Sequence, residues 1–327
     1  MSRERKRNRA GAETAALRDR AAALLSAAVL LLVLLLSPTF GEGTLSAMAD
    51  ALRPREVIKT EAAPTPDPSV WIRLADVESD VSTEVIIRLM NTEAGESGID
   101  LTGGEPKILI YHTHDTEAYR QTPDSTYEPS GDCRTEDDGK NVCAVGEELK
   151  RILEEEYGII AIHACEKHEK PDLKSAYSRS LDTMLRYKTL YPSIEMFIDI
   201  HRDGVADTGY EDDFVTVEGL ECARMMFVVG TGSSGKSSQF APESTAEAEQ
   251  WMPDFENNYA LAVSLTETLL SYNDRFMRNI RVKSGKYNQQ VGTCLLIEVG
   301  HNRNTLEQAK NSMIFLARAI AQAAGSS

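Results

Sequence analysis

The sequence predicts an α/β protein, a mixed central sheet covered by helices, preceded by an apolar N-terminal span and a linker. Three observations predict it. Short apolar runs bounded by polar turns recur at 107–111, 195–200 and 294–299, and stretches of helical periodicity fall between them. The first forty residues also differ sharply in composition from the remainder. The 327 residues carry 35 Lys+Arg against 51 Asp+Glu, a formal net charge of −16. Residues 1–40 hold a net of +4, so the rest carries −20. Such acidity excludes nucleic acid as a general partner, because phosphate neutralisation needs a basic surface.

Residues 1–20 form a basic tail with Arg3, Arg5, Lys6, Arg7, Arg9, Arg18 and Arg20. Residues 21–40 are uncharged and, to Leu36, almost wholly aliphatic, about the length a helix needs to cross a hydrocarbon core of ~30 Å. Basic residues ahead of the span predict a single-pass cell-membrane anchor with a cytoplasmic tail and an extracytoplasmic remainder. The rival is a cleaved signal peptide with Ala47-Met48-Ala49 as its site. That tripeptide lies too far beyond the apolar run, so the anchor is the expectation. Residues 41–103 read as a stalk, semi-rigid at Ala62-Ala63-Pro64-Thr65-Pro66-Asp67-Pro68.

From residue 104 to 325 strands and helices alternate. Strands are expected at 107–111, 158–163, 195–200, 225–229 and 294–299, and helices at 144–156, 173–187, 257–270 and 306–323. Of the five cysteines, Cys133 and Cys143 flank a polar loop and could pair in an oxidising space. Cys165 and Cys294 read as small buried hydrophobes. No CxxC pair occurs, which gives a cysteine-based structural zinc site no support.

Two chemistries are suggested by motifs. Gly230-Thr231-Gly232-Ser233-Ser234-Gly235-Lys236-Ser237 fits the phosphate-loop pattern and follows an apolar strand. The following Ser-Gln-Phe-Ala-Pro is a poor first helical turn, so a Gly/Ser surface loop is favoured over a nucleotide site. The second is carried by histidines at strand ends: His112 and His114 after KILIY, His201 after EMFIDI, His301 after CLLIEVG. Loops at the carboxyl ends of strands in an open α/β sheet build a site crevice. Two histidines, one carboxylate and an open position make a hydrolytic zinc centre. Glu298, inside an otherwise apolar strand, suits a proton-transferring base. Asp199 and Asp203 read as orienting partners or turn formers. Taken singly, each histidine is as readily a surface residue.

The blocks ILIYHTHDTEAY, FIDIHRD and SGKYNQQVGTCLLIEVGHNRNTLEQAKNS resemble the signatures of the stage II sporulation protein P family. That family is in turn similar to zinc-dependent N-acetylmuramoyl-L-alanine amidases. The resemblance covers residues 104–325 and implies an amidase-like sandwich. It implies a peptidoglycan hydrolase with an additional cross-link endopeptidase activity credited to the family, acting in engulfment during endospore formation, in the space between forespore and mother cell. Sporulation proteins D and M are the implied partners. By position, His114, Glu117 and His201 are the implied zinc ligands and Glu298 the base, with Arg202 stabilising an oxyanion or holding a substrate carboxylate. His112 stays open as an alternative ligand, since strand alternation places it on the same face as His114. The amidases' usual carboxylate position, near Gly139-Lys140-Asn141, holds no acid. A catalytically inactive wall-binding module of the same fold is the alternative.

Overall fold

The computed structural model of the chain describes residues 75–79, 81, 99–206, 213–232 and 252–325. The expected tail, anchor and most of the stalk lie outside the described residues, as does 233–237 of the glycine-rich loop. Among the described residues no helix is long and apolar enough to cross a membrane. One compact unit spans Lys59–Ser327.

Its strands are β1 (Ala75–Val77), β2 (Ile108–Tyr111), β3 (Ala161–His163), β4 (Met196–Asp203), β5 (Phe214–Val217), β6 (Leu220–Ala223), β7 (Met225–Gly230), β8 (Ile280–Lys283) and β9 (Thr293–His301). The helices are α1 (Val142–Tyr157), α2 (Ala176–Leu190), α3 (Phe255–Tyr272) and α4 (Leu306–Ala323). Seven strands make one mixed sheet in the order β1-β8-β7-β9-β4-β2-β3, and β5 and β6 form a separate hairpin. All neighbours are parallel except β7 and β9. β2, β4 and β9 therefore run the same way, and their carboxyl ends meet at one edge. β1 draws three residues of the 41–103 segment into the sheet against β8.

Local chemistry explains the helix bounds. Asn141 caps α1 by accepting the Cys143 N–H at 2.9 Å, so the helix starts two residues before its apolar periodicity does. Gly158 ends it in the left-handed region at φ 66°. Thr305 and Gln308 close a reciprocal capping box on α4.

The core is asymmetric. Alternate residues of the strands (Ile108, Ile110, Ile198, Ile200, Ile297, Val299) pack with α1, α3 and α4 in one large cluster. The opposite face carries smaller clusters: Leu109, Tyr111, Phe197 and Cys294 with Met184 of α2, and Met226, Val228 and Leu296. That second face is covered by α2 alone among the described helices, which leaves room on it for a site.

Gly300, near the end of β9, sits at φ +67°, and a Cβ there would lie 2.5 Å from Asn304 Oδ1 and 2.8 Å from Ala223 Cβ. Gly300→Ala is expected to cost about 2–4 kcal/mol, from backbone strain and the clash together. A shift of the denaturant midpoint measures it; an unshifted midpoint contradicts this account.

Candidate functional site

Parallel register sets His201 of β4 directly beside Glu298 of β9. Both lie on the α2 face, as does Asp199 two residues before His201. Asp199 is buried and held by Thr113, whose N–H donates at 2.8 Å and whose hydroxyl donates at 2.6 Å. Asp199 Oδ1 in turn stands 3.0 Å from His201 Nε2, as an ion pair off the hydrogen-bond line, so that Nε2 makes no hydrogen bond. On the other ring nitrogen, Glu117 Oε2 lies 3.5 Å from His201 Nδ1. Burial opposes a charge on His201, but Asp199 and then Glu117 outweigh it and hold its pKa well above the imidazole range.

β2 ends at Tyr111, and the chain turns through 112–117. This brings the His114 ring to 5.3 Å from that of His201, edge to face, with the Tyr177 ring of α2 5.8 Å from it. His114 Nδ1–H donates to Glu169 Oε1 at 2.9 Å, which leaves Nε2 as its free lone pair. Glu169 also accepts from Thr116 and Arg134. Glu117 accepts the Arg202 N–H at 3.1 Å. Against burial, His201 first and then Arg202 keep Glu117 below the usual carboxylate range. Glu298 keeps part of its surface open, but its Oε2 is sealed from solvent with no hydrogen bond. Burial pushes its pKa up to about 7.

The structure thus brings His114, Glu117, His201 and Glu298 together. Arg202 joins them in a different capacity. Its guanidinium donates to the carbonyls of Ala118 at 2.9 Å, Cys133 at 2.6 Å and Asp203 at 3.4 Å. It is therefore committed to main chain rather than presented to a ligand. His301 is held by Asp213 at 3.2 Å and by the amide of Arg303 at 3.1 Å.

His112 does not share a face with His114. The alternation that would place it there ends at Tyr111, and its ring packs on the α1 side. There His112 Nε2 meets His163 Nε2 at 2.8 Å, and Cys165 Sγ lies 3.4 Å from the same nitrogen of His163. Among the described residues these three donors converge within 4.8 Å of one another; His114, Glu117 and His201 are adjacent but not so close. All five cysteines are free thiols, and Cys143 Sγ donates to the Asp115 carbonyl at 3.9 Å rather than pairing with Cys133.

Glu169, Arg134 and Tyr177 are absent from the sequence reading. Glu169 lies in an irregular loop without periodicity, where no pattern marks it. The glycine-rich loop is a poor phosphate cradle in its described part. The Gly230 amide donates to Gln289 Oε1 at 2.8 Å, that of Thr231 to the Lys283 carbonyl at 2.8 Å, and that of Gly232 to the Gly285 carbonyl at 3.1 Å.

The profile of the Stage II sporulation protein P (SpoIIP) family matches residues 55–321. The chain belongs to that family. It is 26% identical over 222 residues to the Stage II sporulation protein P of Bacillus subtilis (strain 168), covering 64% of this chain and 49% of the relative. The chain thus spans about half the length of that curated relative. Among solved structures it is similar to the N-acetylmuramoyl-L-alanine amidase AmiC2 of Nostoc punctiforme at 16% identity and a TM-score of 0.37, covering 68% of this chain and 97% of that one. It is similar also to the CwlD amidase of Clostridioides difficile, solved in complex with the GerS lipoprotein, at 16% identity and a TM-score of 0.37, covering 66% and 95%.

Proposed function

We propose that this chain is a peptidoglycan hydrolase of endospore formation, a zinc-dependent N-acetylmuramoyl-L-alanine amidase. Residues 21–40 would hold it in the membrane, with 104–325 as an amidase-like catalytic domain on the outer side. Engulfment, and sporulation proteins D and M as partners, belong to the same proposal and rest on the family. The observation that carries the reading is the convergence of His114, Glu117, His201 and Glu298 on one thinly covered face of the sheet, in a member of this family.

The residues fit a zinc ion. His114 is backed by a carboxylate, Glu169, as metal-binding imidazoles usually are, and Asp199 stands 3.0 Å from His201 Nε2 as an ion pair. His114 Nε2, His201 Nδ1 and Glu117 are the donors that would hold it. The chemistry zinc supplies at such a set is Lewis-acid activation of a carbonyl and of water. The chain supplies the rest. Asp199, fixed by Thr113, sets the His201 ring, and Glu169 sets that of His114. Glu298, with a pKa of about 7, takes a proton from the attacking water and passes it to the nitrogen as the C–N bond breaks. The products are a free lactyl carboxylate on the sugar and a free amine on L-alanine. Arg202 we assign to positioning: it fixes the 117–118 and 133 backbone around Glu117.

The test is release of L-alanine amino termini from purified peptidoglycan by the full chain. Release is expected to stop on chelation, return with zinc, and be absent in His201→Ala. A zinc-loaded wild-type chain that exposes no such termini would leave the inactive wall-binding module as the reading.

A further inference from the structure

On the face of the sheet opposite the proposed active site, three metal-binding side chains from two segments meet. His112 follows β2, His163 ends β3, and Cys165 lies two residues on. His112 is fully buried, and the side chain of His163 is 7% exposed. The ring tautomers are fixed by their neighbours. His112 Nδ1 lies 3.0 Å from the Ile200 carbonyl, which only accepts, so it carries the hydrogen. His163 Nδ1 lies 2.9 Å from the Glu147 carboxylate and carries one for the same reason. In the neutral rings both Nε2 atoms are therefore bare lone pairs, and they face each other at 2.8 Å. Two lone pairs at that distance repel unless a cation lies between them.

A shared proton would serve the two nitrogens but not the Cys165 sulfur beside them. Cys165 Sγ is 3.4 Å from one of the same nitrogens. Two imidazoles and a cysteine sulfur at one point are donor chemistry suited to zinc. The Nε2 pair needs to open only by about half an ångström to reach the roughly 3.3 Å set by Zn–N bonds of about 2.0–2.1 Å. Glu147 and the Ile200 carbonyl are the outer partners that orient such ligands. Gly146 of α1 completes the cradle. A Cβ there would lie 2.6 Å from His163 Nε2 and 2.7 Å from His112 Nε2, so only glycine leaves the space where the donors point.

We propose that His112, His163 and Cys165 hold a second, structural zinc ion, separate from the His114–Glu117–His201 site. It clamps the edge strand β3 to the end of β2, immediately before the loop that carries His114 and Glu117. The three ligands come from separated segments, which is why no CxxC spacing announces them.

The site differs from the proposed catalytic one in having a sulfur ligand, and that difference is measurable without activity. Zinc X-ray absorption of the full wild-type chain is expected to show sulfur at about 2.3 Å. The cobalt-substituted chain is expected to show a thiolate-to-metal charge-transfer band. That band is expected to be lost in Cys165→Ser and kept in His201→Ala, so failure of this site and failure of the catalytic reading are told apart. A wild-type chain with no sulfur shell and no charge-transfer band overturns the proposal, and needs no variant to fold. A disulfide between Cys143 and Cys165 in the isolated chain, found by mass spectrometry, overturns it equally.

Discussion

Glu298→Gln is expected to abolish peptidoglycan cleavage while making the metal-free chain more stable at alkaline pH. Loss of a positioned proton carrier lowers turnover by about 10²–10⁴-fold. The stability effect follows from the same burial that raises its pKa to about 7 from 4.5. A raised folded-state pKa gives stability that is fully present below the unfolded value and is lost as pH climbs through the folded one. The wild type is therefore expected to lose on the order of 2 kcal/mol, relative to the glutamine variant, between pH 4.5 and 7, allowing for the open part of its surface. Denaturant unfolding of both proteins at pH 5 and pH 8, with chelator present, measures this. Parallel behaviour of the two at both pH values would refute the buried, unpaired carboxylate. The trade is typical of a site residue: the sealed Oε2 is a liability for folding retained for chemistry.

Arg202→Ala is expected to be destabilising by about 3–5 kcal/mol, because it orphans main-chain acceptors in a buried setting. Each carbonyl now served by the guanidinium, at Ala118, Cys133 and Asp203, would need a new partner. Arg202→Lys is not expected to restore the loss, since a single ammonium cannot span that fork of acceptors. A residue that served only to stabilise an oxyanion would give the reverse pattern, low activity on an unchanged unfolding midpoint. Measuring both quantities on both variants separates the roles.

The central strands were legible because they are buried on both faces. Runs such as EMFIDI and CLLIEVG are almost continuously apolar, which marks parallel strands under helices, and the polar exceptions within them, Asp199 and Glu298, point to the site. The terminal helix 306–323 was legible to the residue, and the structure adds the Thr305–Gln308 capping box that fixes its start. The short strands β1, β5, β6 and β8 were not legible. Three or four residues give no period, and β8 reads Ile-Arg-Val-Lys, with a charge at every second position. His114, Glu117 and His201 were visible through motif resemblance, whereas Glu169 and Arg134, which hold the first of them, sit in loops whose placement only tertiary contacts decide. His112 was assigned to the wrong face for a related reason: alternation was carried one residue past the end of its strand. The meeting of Cys165 with His112 and His163 was hidden because they belong to different segments, joined only by the pairing of β2 with β3.

The single antiparallel pairing within the seven-stranded sheet, between β7 and β9, bears on how the molecule comes to fold. β9 must lie between β4 and β7, yet it is the last strand made, and both of its neighbours wait for it. His201 and Glu298 become neighbours only when that insertion occurs, across a long intervening stretch of chain whose closure is entropically costly. Until β9 is seated, the nascent chain carries histidines and carboxylates but not their assembled cluster. On the proposed reading hydrolytic competence is thereby tied to the seating of β9, so a truncated chain lacking it is expected to be inert towards the wall however well its earlier strands pair.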